Sequence, residues 1–413
     1  MKKSTKLFSI LGLCSIFFMS CFNPVFYEIR QDVAPEKSST TGIITCITRY
    51  SVGDQEYLVT NANGTITYKS TDYVYKYNKH GWKGVNEAYL PFELHRFDYQ
   101  KFEHRGQQLI KVVADSEYLY LVSVEYKKDT DEGTSNPEKT HIWAGKITSW
   151  EEKPDWIDIT DWTDITTPVV RSDEKELLPY YLGTDDYYKS AFNVFCTNSI
   201  HKENRKAYIR SGAKKTAFPT EYFELNGTTA TSITPTAFDN TEKDINNVTY
   251  FNGNYEFFAA LAVTTDETSV DQAKNIYYSN GKKLVYFDGT TKQEVLDASI
   301  PISCLTVTKD ALLIGRADYS STNSTASGGI KKVELNNGIP GKEFAPFTTN
   351  AASQLSPSYF VLTLLSVDPS KPELDATMYA SLAFLGSGTS ASVNYDNIGL
   401  WSYYKPRGNW NRE

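Results

Sequence analysis

Histidine and methionine are scarce in this chain of 413 residues, at five and three, and cysteine occurs only five times. The histidines, at 80, 95, 104, 141 and 201, form neither HxxxH nor HExxH, so the close ligand spacing of a zinc site is missing. No run of lysine and arginine is long enough to follow a phosphate backbone. The formal net charge of -8 sets the chain against a nucleic-acid partner. The G-x-S-x-G elbow and the P-loop are both missing. Sustained helical periodicity is lacking as well: "DEKELLPYY" (173–181) offers one turn before Pro179 stops it. These gaps exclude the commonest hydrolase, nucleotide-binding and zinc-dependent chemistries from the reading.

What fills the chain instead is aromatic. It carries 29 tyrosines, 21 phenylalanines and seven tryptophans, within a composition that is 40% hydrophobic. Such a sequence folds, and tyrosine with Thr, Val and Ile suits pleated, half-buried surfaces.

The N-terminal stretch reads "MKKSTKLFSILGLCSIFFMSC". Lys2, Lys3 and Lys6 are followed by an apolar segment, 7–19, too short for a spanning helix of about 20 residues and right for a secretory signal. Small Ser20 then precedes Cys21, whereas the rival Cys14 follows bulky Leu13. Phe18-Met19-Ser20-Cys21 resembles the lipobox of bacterial lipoproteins, in the loose form of spirochaetal ones, with Phe where Leu is usual. The resemblance implies that 1–20 is a signal peptide. It also implies that the Cys21 thiol carries diacylglycerol and the freed amine a further, palmitate-like chain. Each buried methylene adds about 0.8 kcal/mol of anchoring, so the expected membrane partner is held firmly, at the outer membrane or cell surface. Cleavage removes three lysines and no acid, taking the charge from -8 to -11. Residues 21–41 read as a tether with "APEKSSTTG" as its polar linker. Within it, "VFYEIR" (25–30) alternates like a strand that would complete the last sheet of the following domain. Cys46, Cys196 and Cys304 are widely spaced in apolar runs and read as small buried hydrophobes.

From 42 to 413 the text is short β-like runs separated by turn pairs: Asn-Gly at 63–64, 226–227, 252–253, 280–281 and 337–338, and Asp-Gly at 288–289. Apolar first strands recur at 42–50, 108–114, 190–198, 246–251, 302–308 and 358–367. Aromatic or Gly-led third strands are expected near Tyr73, Trp143, Tyr208, Tyr277, Ile330 and Trp401, at intervals of 70, 65, 69, 53 and 71 residues. An aromatic, a basic residue six later and a second aromatic nine or ten later recur as Tyr73/Lys79/Trp82, Tyr208/Lys214/Phe218, Tyr277/Lys283/Tyr286 and Trp401/Arg407/Trp410. Self-similarity at this period points to an all-β repeat, a six-bladed β-propeller over 42–413. Seven blades follow if 150–190 hides another, and a pair of β-sandwiches is the rival. The aromatic–basic hairpin is expected between the two outer strands of a blade. It loosely resembles the Asp-box hairpins of sialidase-like propellers, although Ser-x-Asp-x-Gly-x-Thr-Trp does not occur.

No catalytic, metal or cofactor residue is assigned. "DTDEG" (129–133) lacks the distal acid of a calcium loop, "GSGTSAS" (386–392) reads as a hairpin loop, and Asp185-Asp186 beside Tyr187-Tyr188 reads as a solvated loop. The reading is a non-enzymatic lipoprotein that binds or scaffolds a protein or glycan partner. Two alternatives carry distinct marks. A polysaccharide glycosidase or lyase calls for acids or arginines converging on the central funnel, and a purely structural lipoprotein calls for an apolar one.

Overall fold

The computed structural model describes residues 40–71, 81–98, 103–126, 137–150, 157–159, 162–166, 193–211, 221–233, 261–263, 275–280, 282–318, 328–347, 349, 355, 357–383, 398–405 and 408–413. Cys21, the stretch 25–30, the loops 129–133 and 386–392, and the Asp185–Tyr188 group lie outside them.

Among the described residues, the strands form six antiparallel sheets of four, each ordered as a meander, and two separate hairpins. Sheet 1 holds β1 (Ile47–Val52), β2 (Gln55–Thr60), β3 (Thr67–Ser70) and β4 (Lys83–Gly84). A separate hairpin follows, β5 (Arg96–Asp98) with β6 (Glu103–Arg105). Sheet 2 runs through β7 (Gln107–Ala114), β8 (Leu119–Tyr126) and β9 (Pro137–Gly145). It then detours through a second hairpin, β10 (Ile147–Trp150) with β11 (Ile157–Ile159), and ends on β12 (Thr163–Asp164). Sheet 3 is β13 (Asn193–Cys196), β14 (Ala207–Ser211), β15 (Glu221–Asn226) and β16 (Thr229–Ile233). Sheet 4 is β17 (Leu261–Val263), β18 (Ile276–Asn280), β19 (Lys283–Phe287) and β20 (Lys292–Asp297). Sheet 5 is β21 (Ile302–Val307), β22 (Ala311–Ala317), β23 (Gly328–Asn336) and β24 (Ile339–Pro340). Sheet 6 is β25 (Phe360–Ser366), β26 (Met378–Ala383), β27 (Gly399–Tyr404) and β28 (Asn409–Arg412).

Among the described residues, apolar clusters join these sheets at six junctions, five between sheets consecutive in the chain and one between the last and the first. Tyr50 and Val59 meet Val112 and Leu121 between sheets 1 and 2. Tyr120 and Ile142 meet Val194 and Ile209 between sheets 2 and 3. Phe195 and Tyr208 meet Ile276 and Val285 between sheets 3 and 4. Tyr277 and Leu284 meet Leu312 and Val333 between sheets 4 and 5. Leu313 and Ile330 meet Val361 and Met378 between sheets 5 and 6. The ring closes where Leu365 and Tyr379 of sheet 6 meet Ile47 and Leu58 of sheet 1. A meander that none of its faces leaves dry alone, repeated until last meets first, is a β-propeller. A pair of sandwiches would leave one face of every sheet wet, and that rival fails here.

Burial on both faces explains why the inner strands are continuously apolar rather than alternating. Every residue of β22, β25 and β26 is buried. Outer strands such as β16 and β20 are largely exposed and polar.

Five of the six expected first strands overlap a first strand of a sheet. The fourth does not: 246–251 lies outside the described residues, and sheet 4 opens on β17. The expected third strands fall on β9, β23 and β27 for Trp143, Ile330 and Trp401, but Tyr208 and Tyr277 sit on second strands, and Tyr73 lies outside the described residues, beyond the end of β3. The correction has a physical cause. Tyr120, Tyr208, Tyr277 and Tyr379 each occupy the second residue of a second strand, all at 2% exposure or less, and each packs in the cluster shared with the next sheet. The tyrosine spacing therefore marks inter-sheet contact and not a third strand. The Gly227 N–H donates to the Tyr120 hydroxyl at 2.8 Å, and the Tyr277 hydroxyl donates to the Gly338 carbonyl. Both glycines sit in turns between third and fourth strands with positive φ, +59° and +81°. A Cβ on either would stand 2.7 Å from Tyr118 or Asn275 of the preceding sheet.

The repeated aromatic–basic hairpin is accordingly two different things. Trp401 and Trp410 lie on β27 and β28, so at sheet 6 it does join third to fourth strand; at sheet 1 Trp82 directly precedes β4, while Tyr73 and Lys79 lie outside the described residues. In sheet 4 it joins second to third, with Tyr277 directly opposite Tyr286. Sheet 6 reaches four strands within 360–412; the stretch 25–30 is not among the described residues.

Candidate functional site

The first strands of a propeller surround its axis, and in this chain several carry a polar side chain within an otherwise apolar run. Thr48 and Arg49 stand on β1, Lys111 on β7, Cys196 on β13 and Cys304 on β21, with Cys46 one residue ahead of β1. The three cysteines are free. Cys46 and Cys304 are buried as expected, and Cys196 is half-buried. Burial pushes the Cys46 thiol up to about 11 and the Cys304 thiol up to about 12, so both stay protonated and are poor nucleophiles at neutral pH. Burial likewise holds the Lys111 ammonium below the usual lysine value, opposed by the three cysteines, which come from sheets 1, 3 and 5.

Where the first strands of sheets 1, 3 and 6 end, a charged hub joins them. Arg49 and Arg205 are 2% and 1% exposed and flank one carboxylate, Glu56 on β2. Arg49 Nη1 lies 2.5 Å from Glu56 Oε1, and Arg205 Nη2 pairs with Oε2. Arg49 Nη2 also donates to the carbonyls of Ser366, at 2.9 Å, and Val367. Arg205 donates from Nε to the Ser199 carbonyl and from Nη1 to Ser51 Oγ, each at 2.8 Å. Asn198 accepts from Thr48 Oγ1 at 2.9 Å and from the Arg49 N–H at 3.1 Å. Asn198 has a left-handed φ of 51° and sits in the connection between β13 and β14, which its bonds hold against β1. Burial, foremost, and the neighbouring Arg49 lower the Arg205 guanidinium from its ordinary value, while Glu56 works the other way.

The hub therefore ties sheets 1, 3 and 6 together. It brings together the converging arginines expected of a polysaccharide-acting funnel, yet commits most of their donors to backbone carbonyls and Glu56. Chemically it can hold shape, and it presents only the quarter-exposed edge of Glu56 to solvent. Nothing in local sequence links Arg49 with Arg205. The available signal was a charge inside an apolar run, "ITRYSV" for Arg49, which must find a partner when buried.

His141 forms a second charged group, on the outer part of sheet 2. Its Nδ1 is 3.0 Å from Asp164 Oδ2 on β12 and its Nε2 is 2.9 Å from Glu125 Oε2 on β8. The ring stacks on Trp143, centroids 5.7 Å apart. The bond to Asp164, then that to Glu125, raises the imidazole above its usual value against the effect of burial. His201 is exposed near Glu203. Among the described residues, no group of three His, Cys, Asp or Glu side chains is placed to hold a metal ion, and no helix is long and apolar enough to cross a membrane.

No protein-family profile matches the chain, and no curated protein matches it. Solved structures with a related trace include a GH74 enzyme from Niastella koreensis, at 12% identity and a TM-score of 0.41, covering 92% of this chain and 46% of that one. A PL25 ulvan lyase matches at 12% identity and a TM-score of 0.29, covering 70% and 64%. Extracellular domains 1–2 of Drosophila Semaphorin 1a match at 10% and 0.28, covering 88% and 85%. The chain spans about half the length of the first of these. The assignment of the fold rests on the strand order and the closed ring of apolar clusters.

Proposed function

We propose that this chain is an exported bacterial lipoprotein, acylated at Cys21, whose six-bladed propeller binds or scaffolds a protein or glycan partner at the cell envelope. Six sheets of four among the described residues, with apolar packing at each of the six junctions, support the count of blades. The observation that carries binding over catalysis is the hub. Its two arginines and their glutamate are engaged within the protein, which makes a rigid centre suited to displaying loops. Folds of this kind serve both enzymes and binders, so the reading is argued from that centre.

The anchor is tested in cells with alkyne-palmitate labelling and detergent-phase partition of the full chain. The expected result is that wild type labels and partitions with detergent while Cys21→Ser does neither; equal labelling of the two would reject acylation at Cys21. The binding role is tested on immobilised glycans and envelope proteins, with a polysaccharide panel run alongside. Saturable capture without change in the polysaccharides is expected. Release of reducing ends or unsaturated sugars would replace the reading with an enzymatic one.

A further inference from the structure

Among the described residues, the fully buried lysines and arginines follow a rule with one exception; Lys111, only half-buried, stands outside the count. Five lysines and arginines are buried among the described residues: Arg49, Lys69, Arg205, Arg316 and Lys332. Arg49 and Arg205 share Glu56. Lys69 lies 2.9 Å from Glu413, and Lys332 lies 2.8 Å from Glu373, itself fully buried. Arg316 has no carboxylate among the described residues. It is 6% exposed. Nη1 donates to the Ala298 carbonyl at 3.1 Å and Nη2 to the Gly328 carbonyl at 2.7 Å. Its Nε is buried with no hydrogen-bond partner, a feature it shares with Arg49, so the missing carboxylate is what sets it apart. A guanidinium has five N–H donors, so two carbonyls leave it under-used as well as unneutralised. Burial alone acts on its proton affinity, lowering it from the ordinary arginine value. The nine residues between Asp318 and Gly328, "YSSTNSTAS", contain no acid.

The position is not incidental. Arg316 pairs with Ile302 at the start of β21 and with Gly329 at the start of β23. It therefore lies where the first strands begin, at the end opposite the hub, and its bond to Ala298 reaches the connection from sheet 4 to sheet 5. An isolated buried charge is costly unless paired, and guanidinium is the side chain best matched to carboxylate and phosphate.

We propose that Arg316 is a receptor for a small anionic group, a free halide or oxyanion or the acidic group of a larger ligand, at the junction of sheets 4 and 5. The site depends neither on the lipid anchor nor on the binding reading above. Its test uses the full chain freed of small anions, with ionic strength held by a bulky sulfonate. Chloride, bromide, acetate and phosphate are titrated while thermal unfolding is followed. Wild type is expected to gain several degrees, saturably, with at least one of them. A response to halides alone makes it an ion site, and a response to acetate or phosphate makes it a site for a ligand's acidic group. Arg316→Met is expected to lose at least tenfold in apparent affinity, and Arg316→Lys less. Where halides stabilise, bromide-soaked crystals of wild type give a readout that needs no variant, an anomalous peak beside Arg316. A wild-type unfolding temperature indifferent to anion identity, an Arg316→Met response equal to wild type, or a halide response with anomalous peaks only elsewhere would overturn the proposal.

Discussion

Sheet 1 and sheet 5 each bury an arginine, and they do so in opposite ways. Arg49 enters a shared network with Glu56 and Arg205 that pins three sheets together. Arg316 meets only two carbonyls. The same side chain thus serves as a structural tie in one place and stands as an unsettled charge in the other. What separates them is the partner: a carboxylate repays desolvation where carbonyl dipoles alone do so poorly. A buried charge with its partner is explained by the fold, and one without it asks for something outside the chain.

The comparison breaks most easily at the hub. Glu56→Gln leaves two buried guanidinia facing one another and is expected to cost about 3–5 kcal/mol, read from urea unfolding. A loss below about 1 kcal/mol would mean that the hub does not tie the sheets. The Lys332–Glu373 pair sharpens the point. Lys332→Met strands a fully buried carboxylate and is expected to cost about 3 kcal/mol, most of which the double change Lys332→Met with Glu373→Leu restores. Arg316→Met should behave in the opposite sense. In anion-free buffer it is expected to gain about 1–2 kcal/mol by removing an uncompensated charge; a loss of similar size would make Arg316 a tie like Arg49.

The smallest effect belongs to His141 and its two carboxylates, which are partly exposed and screened by solvent. Its raised value means that its contribution is fully present below about 6.5, the ordinary histidine value, and fades as pH climbs through the raised one. Burial pushes Asp164 up, but its bonds to His141 and Thr166 outweigh that and leave it below 3.8, so its contribution is present above that pH and lost beneath it. The clamp is therefore strongest from about pH 4 to 6.5. The stability difference between wild type and His141→Gln should reach about 0.5–1 kcal/mol in that window and shrink toward pH 9. A pH-independent difference would show that His141 acts through packing on Trp143.

Much of the scaffold is legible in the sequence. Apolar runs such as "ISCLTV" and "FVLTLLS" mark strands dried on both faces, and the Asn-Gly pair at 226–227 and the Asp-Gly pair at 288–289 mark turns between third and fourth strands. The strand on which each recurring aromatic sits was not legible. Tyr208 and Trp401 look alike in sequence because both pack against neighbours, yet one is on a second strand and the other on a third. Loop lengths between them vary too much for spacing to tell the two apart. The charged groups were hidden more completely, since Arg49 and Arg205 are 156 positions apart and no periodicity relates them.

The chain's composition and local patterning determined that it would be all-β, repetitive and unable to bury its sheets singly, because hydrophobicity and turn chemistry are properties of neighbours along the chain. Tertiary structure alone decided which charges are answered and which are left over. That outcome depends on residues brought together around a closed ring, where the low-dielectric interior turns a missing partner from a detail into a cost.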